Sequence, residues 1–390
     1  MTNLLDKLTP FAIAFFAALA LTIVLTPIVR EVNRRLGMVD KPDPRRINKV
    51  PIPRGGGVAL FLGLFGSFIV YVFATGSRWV GSGVGTHPVR VTALAGILFL
   101  IGLADDKWSL PPKLKLLGQI AVAFATWFWG GLGFSTLWPA LPPAVDCILT
   151  VFWIVGAVNA FNLIDGLDGL ASGLACIASF TMFILSVMSG RTDAAALAIA
   201  LSGATLGFLR YNFNPASIFL GDSGSLLLGY TLGIASMLSV TRVAGLTTII
   251  VPLVIAGIPI IDTFSAIVRR KRAHVSIGQA DRGHIHHRLI AEGFNQRQAV
   301  LIMYAWTALL CLGTFLMTQV SVMPRIAIFA ALLIVSALIA GKLHLFRPVL
   351  LHHTDPETGD DELVSPQDPE FVEEEEKFEE RQAKRLHRRH

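Results

Sequence analysis

The chain has 390 residues, of which 53% are hydrophobic and 15% charged, with a mean hydropathy of +0.61 and a formal net charge of +6. Soluble domains carry about 25% charged residues, so this composition excludes a soluble globular protein, and no nucleic-acid partner is expected. The class that remains is an all-α polytopic membrane protein.

Taken in chain order, apolar runs long enough to cross about 30 Å of hydrocarbon fall at roughly 10–29, 57–74, 91–104, 116–133, 144–161, 170–189, 194–209, 223–240, 246–268, 298–318 and 324–341. They predict about 11 transmembrane helices in one domain, 1–345, followed by a charged tail, 346–390. The first run is followed by basic residues and reads as a retained helix rather than a cleaved leader. With the N-terminus outside, 27 of the 33 Lys and Arg residues fall in the loops at 30–56, 105–115, 210–222 and 269–297 and in the segment from 342 to the end. Basic residues concentrate on the cytoplasmic side, so these loops and the tail are expected there. Cys147, Cys176 and Cys311 sit in or near apolar runs without CxxC spacing and read as small core side chains.

The acids are one-sided. Of 27 Asp and Glu residues, 13 lie between Asp355 and Glu380 in the tail. Of the rest, Asp105, Asp106, Asp165, Asp168 and Asp222 all fall at predicted cytoplasmic helix ends, and Asp262 lies about two turns inside the ninth run. Ionisable groups at membrane depth are costly and mark functional sites, so several helices are expected to deliver carboxylates to one cytoplasmic-face cavity.

"GLADDKWSLPPKLKLLGQ" (102–119) places Asp105 and Asp106 at a helix C-terminus, where the dipole disfavours anions. A divalent cation or phosphate site explains that choice, with Lys107, Lys113 and Lys115 facing anionic substrate. "NAFNLIDGLDGLASG" (159–173) sets Asn159, Asn162, Asp165 and Asp168 three residues apart with no Lys or Arg among them, so a cation from outside the segment must make the arrangement tolerable. Carboxylate and amide oxygens suit Mg²⁺, which keeps waters and shares substrate phosphates. "FLGDSGS" (219–225) opens the eighth run, where Asp222 or Ser223 also suits a plain N-cap and the helix N-terminus attracts phosphate. In "RRKRAHVSIGQADRGHIHHRL" (269–289), Arg269, Arg270, Lys271 and Arg272 read as anchors on anionic headgroups. Arg282, His284, His286, His287 and Arg288 read as holders of phosphoryl oxygens rather than zinc ligands. The tail reads as disordered or as a short solvated helix.

Together with "GMVDKP" (37–42, carrying Asp40), "PIPRGGG" (51–57, carrying Arg54) and "PIIDTFSAIVRR" (259–270, carrying Asp262), these stretches resemble, in family order over about 10–345, the polyprenyl-phosphate N-acetylhexosamine-1-phosphate transferases. "PIPRGGG" and "HIHHRL" are more similar to the WecA/TagO-type branch than to the muramoyl-pentapeptide branch.

The resemblance implies an enzyme of the bacterial inner membrane with a cytoplasmic active site. It would transfer a sugar 1-phosphate, GlcNAc-1-phosphate above all, from a UDP-sugar to undecaprenyl or decaprenyl phosphate with release of UMP, using Mg²⁺ or Mn²⁺. By the same implication Asp222 is the metal ligand, with Asn162 or Asp165 beside it. Asp168 and its loop, with Asn159, meet the nucleotide, and the histidine loop meets diphosphate, with Arg54, Lys113 and Lys115 as the other candidate holders. Whether Asp105 or Asp106 is a base or a positioner stays open, as does a homodimer. A CDP-alcohol phosphotransferase is disfavoured because Ser172 stands where its signature needs Arg. A transporter is disfavoured because its acids would be scattered along a path across the bilayer.

Overall fold

The computed structural model describes residues 4–40, 51–76, 88–136, 138–239, 253–254, 256–276, 283–349, 351–354, 361–364, 368, 370–371 and 374. The helices are α1 (Leu4–Arg35), α2 (Gly57–Thr75), α3 (Pro88–Trp108), α4 (Pro112–Phe128), α5 (Pro143–Ile164), α6 (Leu170–Met188), α7 (Thr192–Asn212), α8 (Gly221–Ser239), α9 (Gly257–Arg272), α10 (Ile285–Ala291), α11 (Gln296–Gln319) and α12 (Val322–Lys342). Two short strands, β1 (Val39–Asp40) and β2 (Ile52–Pro53), pair antiparallel between α1 and α2.

Local chemistry explains several starts. Proline opens α4 and α5, where the missing N–H leaves nothing unsatisfied. A capping box opens α11, with Asn295 accepting from the Gln298 amide and the Gln298 side chain accepting from the Asn295 amide.

Among the described residues seven helices are long and apolar enough to cross a membrane: α1, α2, α5, α6, α7, α11 and α12. That supports a polytopic membrane protein, with fewer such spans than the eleven apolar runs. Part of the ninth run, residues 246–252, lies outside the described residues. Two of the other runs differ for physical reasons. The helix α4 has only 17 residues. The helix α8 is rich in Gly, Ser and Thr and is buried along nearly its whole length, because it packs against α2, α3, α5, α6 and α7. A helix surrounded by protein is under no requirement to present an apolar face to lipid.

The chain forms two compact units, one of residues 1–260 and 295–332, the other of residues 261–294 and 333–390. The second contains an element at odds with a disordered or helical tail. There β3 (Leu351–Thr354) pairs antiparallel with β4 (Asp361–Val364), and Leu351, Val364 and Phe371 form a small buried apolar cluster. Three well-spaced apolar residues in a charged segment are enough to bury one face of a hairpin.

Candidate active site

The first unit brings Asp105, Asp106 and Asp222 together through close backbone contact around the start of α8. A β-carbon at Gly102 would lie 2.5 Å from the Asp222 carbonyl oxygen, and one at Gly57 would run into the Ser223–Gly224 backbone. Only glycine at these two positions lets α2 and α3 approach the turn that carries Asp222. The segment after β2 adds backbone bonds, because the Gly56 amide donates to the Phe219 carbonyl (2.9 Å) and the Gly57 amide to Leu220 (3.0 Å). The glycines of "PIPRGGG" therefore build the seat of Asp222 rather than a phosphate loop of their own.

Asp106 caps α8 from outside. Its carboxylate accepts from the Asp222 amide (2.7 Å), the Ser223 amide (3.0 Å) and the Ser223 hydroxyl (2.6 Å). Both oxygens are occupied in holding the helix start. Asp105 faces differently: one oxygen accepts from the Leu110 amide (2.7 Å) and the other from Lys115 Nζ (3.3 Å). The same ammonium makes a close ion pair with Asp222. Lys115 on α4 is thus the resident cation between two carboxylates that the sequence places 117 positions apart. Lys113, two residues earlier, is exposed.

The residues of 159–168 divide. Asn162 donates to the Ser225 hydroxyl (2.9 Å) in the first turns of α8, which puts its amide beside the Asp222 turn. Asp165 follows the last residue of α5. Burial, and then the charges of Asp222, Asp106 and Asp168, hold its carboxyl well above the usual carboxylate range, with Arg54 opposing them. Arg54 itself pairs with Asp40 at 2.6 Å. Asn159 is committed elsewhere, donating to Gln119 (2.6 Å) and the Val155 carbonyl (2.8 Å). Asp168 is only 6% exposed and accepts from Asn214 and from the Ala216 amide, both at 3.0 Å, so it pins the loop between α7 and α8. Gln119 and Ser225 lie inside stretches singled out by sequence, yet their partnerships cross between helices; Asn214 carried no signal.

In the second unit, Asp262 accepts from His284 Nδ1 and from the Ile285 amide, each at 2.8 Å. The His284 and His286 rings lie parallel with centroids 5.9 Å apart, and His287 lies against His286. Burial, and then the neighbouring His287, holds His286 down to about 3, so at neutral pH it is an uncharged ring. Arg288 donates to the Arg347 carbonyl (2.9 Å); Arg282 lies outside the described residues. The basic cluster differs from a headgroup anchor: Arg269 is 1% exposed and Arg270 8%, which only buried partners can support.

No three His, Cys, Asp or Glu side chains among the described residues form a ready metal cage. Mg²⁺ does not require one, since it is held by one or two carboxylates with substrate phosphates and water. The donor set of Asp222, Asp105, Asn162 and Asp165 fits that requirement, and the crowding of carboxylates around Asp165 is the electrostatic condition a divalent cation relieves.

The model of glycosyl transferase family 4 matches residues 89–240, the segment that carries these acids. A probable undecaprenyl-phosphate N-acetylglucosaminyl 1-phosphate transferase of Bacillus subtilis (strain 168) is 35% identical over 346 residues, covering 86% of this chain and 92% of that protein. The chain belongs to glycosyl transferase family 4. Within the family it is also similar to the decaprenyl-phosphate N-acetylglucosaminephosphotransferase of Mycobacterium tuberculosis (strain ATCC 25618 / H37Rv), at 33% over 334 residues, 78% of this chain and 82% of that one. The undecaprenyl-phosphate alpha-N-acetylglucosaminyl 1-phosphate transferase of Escherichia coli (strain K12) is 32% identical over 294 residues, 72% and 77% of the two chains. These relatives agree with the branch that "PIPRGGG" and "HIHHRL" suggest.

Proposed function

We propose that this family 4 chain transfers N-acetylglucosamine 1-phosphate from its UDP-sugar to undecaprenyl or decaprenyl phosphate, releasing UMP. The observation that carries the reading is Lys115 set between Asp105 and Asp222 at the start of α8. Alternating fixed charges of this kind receive a polyanion and its counter-cation together, and phosphoryl transfer depends mostly on positioning and electrostatics. The test is to incubate membranes with labelled UDP-GlcNAc and other UDP-sugars plus undecaprenyl phosphate, following lipid-linked product and UMP. Absence of product with every donor defeats the reading.

In this proposal Asp222 and Asp105, with Asn162 and Asp165 nearby, would hold Mg²⁺ or Mn²⁺, which neutralises phosphate charge when bound. Lys115 swings from carboxylate to phosphoryl oxygen when substrate arrives, so its ammonium is never left without a partner. Asp106 keeps the Asp222 turn in place and touches no substrate. Asp105 is the better placed of the pair to receive the last proton of the lipid phosphate. The histidine loop takes the donor diphosphate. The eleven apolar runs and the one-sided Lys and Arg residues favour a chain of about eleven spans in the bacterial inner membrane, with the N-terminus outside and the site cytoplasmic. A homodimer is compatible with this.

Chelation gives the first prediction. EDTA should abolish turnover and added Mg²⁺ or Mn²⁺ restore it, measured as lipid-linked product; full turnover in a metal-free assay removes the metal from the scheme.

The tail gives the second. The Leu345, Phe346 and Arg347 carbonyls accept from Arg269, Arg272 and Arg288, whereas the β3–β4 hairpin closes on its own small cluster. Truncation after residue 350 should leave most activity, and truncation after residue 343 should lose it along with stability. Equal loss from both places the functional boundary beyond 350.

A further inference from the structure

The helices that carry Asp105, Asp106 and Asp222 leave a cavity at their other end. It has a volume of about 160 Å³, is partly open, and lies between α2, α3, α7 and α8 beside the turn that joins α6 to α7. Its walls are Phe65 and Phe68 of α2, Val91 and Ala95 of α3, and Ile234 and Leu238 of α8. Residues 222 and 234 of α8 are about 18 Å apart along the helix axis, so this cavity is separate from the carboxylate site. Two hydroxyl residues in the wall, Tyr230 and Thr231, are 1% and 3% exposed. Both are turned to protein partners: Tyr230 shares a hydrogen bond with the Thr126 hydroxyl (2.8 Å), and Thr231 donates to the Leu227 carbonyl (2.7 Å). What an occupant meets in the interior is therefore carbon.

The rim is polar. Thr92, Arg191, Thr192 and Asp193 line it and are half-buried or exposed. Asp193 has a partner of its own, whereas the Arg191 side chain has none among the described residues. Other arginines at helix starts are tied down. Arg90 donates to the Trp129 carbonyl (3.0 Å) and lies over that ring, and Arg325 donates to the Met317 and Val320 carbonyls (2.8 and 3.0 Å).

An apolar cavity of about 150 Å³ holds roughly six carbons and stays free of water. A guanidinium at a membrane boundary is costly without a partner, and its planar fork matches phosphate. We infer that this cavity binds an anionic phospholipid of the surrounding bilayer, with the headgroup phosphate on Arg191 and a stretch of one acyl chain between α2, α3 and α8. A small anion would leave the carbon walls unfilled, and a neutral chain would leave the guanidinium unpaired. A zwitterionic lipid brings its own cation to the phosphate, which competes with Arg191, so the site prefers a lipid with net negative charge.

The test uses the full-length protein in phosphatidylcholine nanodiscs doped with a photoreactive lipid that carries a diazirine in one acyl chain. One sample receives the phosphatidylglycerol form and the other the phosphatidylcholine form, and labelled peptides are identified by mass spectrometry without any need for turnover. In the wild type, peptides containing Phe65 and Phe68 or Ile234 and Leu238 should label about fivefold more with phosphatidylglycerol, the worth of one basic residue at a lipid surface. Arg191→Gln should bring the two probes level by lowering the phosphatidylglycerol yield alone. Leu197→Trp, which fills the cavity from α7, should lower both probes at these peptides and leave the labelling of α12 unchanged.

Equal labelling by the two probes in the wild type overturns the inference, as does a phosphatidylglycerol preference that survives Arg191→Gln. Unlabelled undecaprenyl phosphate that displaces the probe more readily than unlabelled phosphatidylglycerol overturns it as well, by assigning the cavity to a polyprenyl phosphate. The Arg191 side chain is half-buried and holds no other group of the fold, so Arg191→Gln accumulates and keeps the test decisive if Leu197→Trp does not.

Discussion

Asp222→Asn is expected to lower kcat by about 10²–10³, the usual effect of removing one group that stabilises transferring charge, while the protein still inserts and accumulates. The side chain sits in the first turn of α8, makes an ion pair with Lys115, and among the described residues accepts from no backbone N–H at the helix start. The capping belongs to Asp106, whose oxygens receive two backbone N–H groups and a hydroxyl. Asparagine at 222 keeps the shape and removes one of two carboxylates that face each other across Lys115, so the fold loses little.

Asp106→Asn should behave in the opposite proportion. One end of its amide can no longer accept, which leaves a donor at the helix start unsatisfied at about 1–3 kcal/mol. Activity then falls together with thermal stability. Melting curves and kcat for both variants in one detergent preparation separate the two roles. Near-wild-type turnover in Asp222→Asn would reduce that residue to a spectator, and equal destabilisation of both variants would mean that the cap is shared.

How much of this was legible in the sequence depends on the range of the interaction. The acids stood out, because carboxylates at helix ends in so apolar a chain are costly, although Asp222 also suited a plain N-cap, and it is the fold that brings Asp105 and Asp106 to the start of α8. The seat of Asp222 was half legible: "PIPRGGG" stood out as a motif, but its contact with residues 219–224 is a matter of tertiary approach that composition does not encode. The partner of the acids was not legible. Lys115 was assigned to substrate, and only the fold shows its ammonium between Asp105 and Asp222. Asn159 and Asp168, in the same polar segment as Asn162 and Asp165, turn out to tie α5 to α4 and to hold the α7–α8 loop, a distinction that spacing along one helix cannot make. The helix α8 shows the same limit from the other direction, since burial among protein neighbours removes the apolar signature that marks a lipid-facing span.

The basic cluster is where local reading failed most, and it yields the sharpest contrast between neighbours. Four consecutive basic residues at a membrane boundary suggest interchangeable anchors, for which Arg and Lys serve equally. Arg269 instead is 1% exposed and uses one nitrogen to bridge the Ser265 hydroxyl and the Leu345 carbonyl. Arg272, three residues later, is exposed and among the described residues reaches only the Phe346 carbonyl, at 3.1 Å. A lysine is shorter and carries no planar guanidinium to lie against Gly283, so its ammonium does not reach the place where Nη1 meets both acceptors.

Arg269→Lys should therefore leave buried groups unpaired, at about 1–3 kcal/mol for each, and loosen the seat of residues 283–285. Arg272→Lys should stay within about 0.5 kcal/mol, as surface substitutions do. The measurement is thermal stability and donor KM for the two variants side by side, with Arg270→Lys, also buried, as a third. Arg269→Lys should melt lower and show a raised donor KM, because the histidine loop loses its support, whereas Arg272→Lys should match the wild type in both. If the two variants are indistinguishable, the cluster is a set of equivalent surface charges after all, and the support of the histidine loop falls to Asp262 alone.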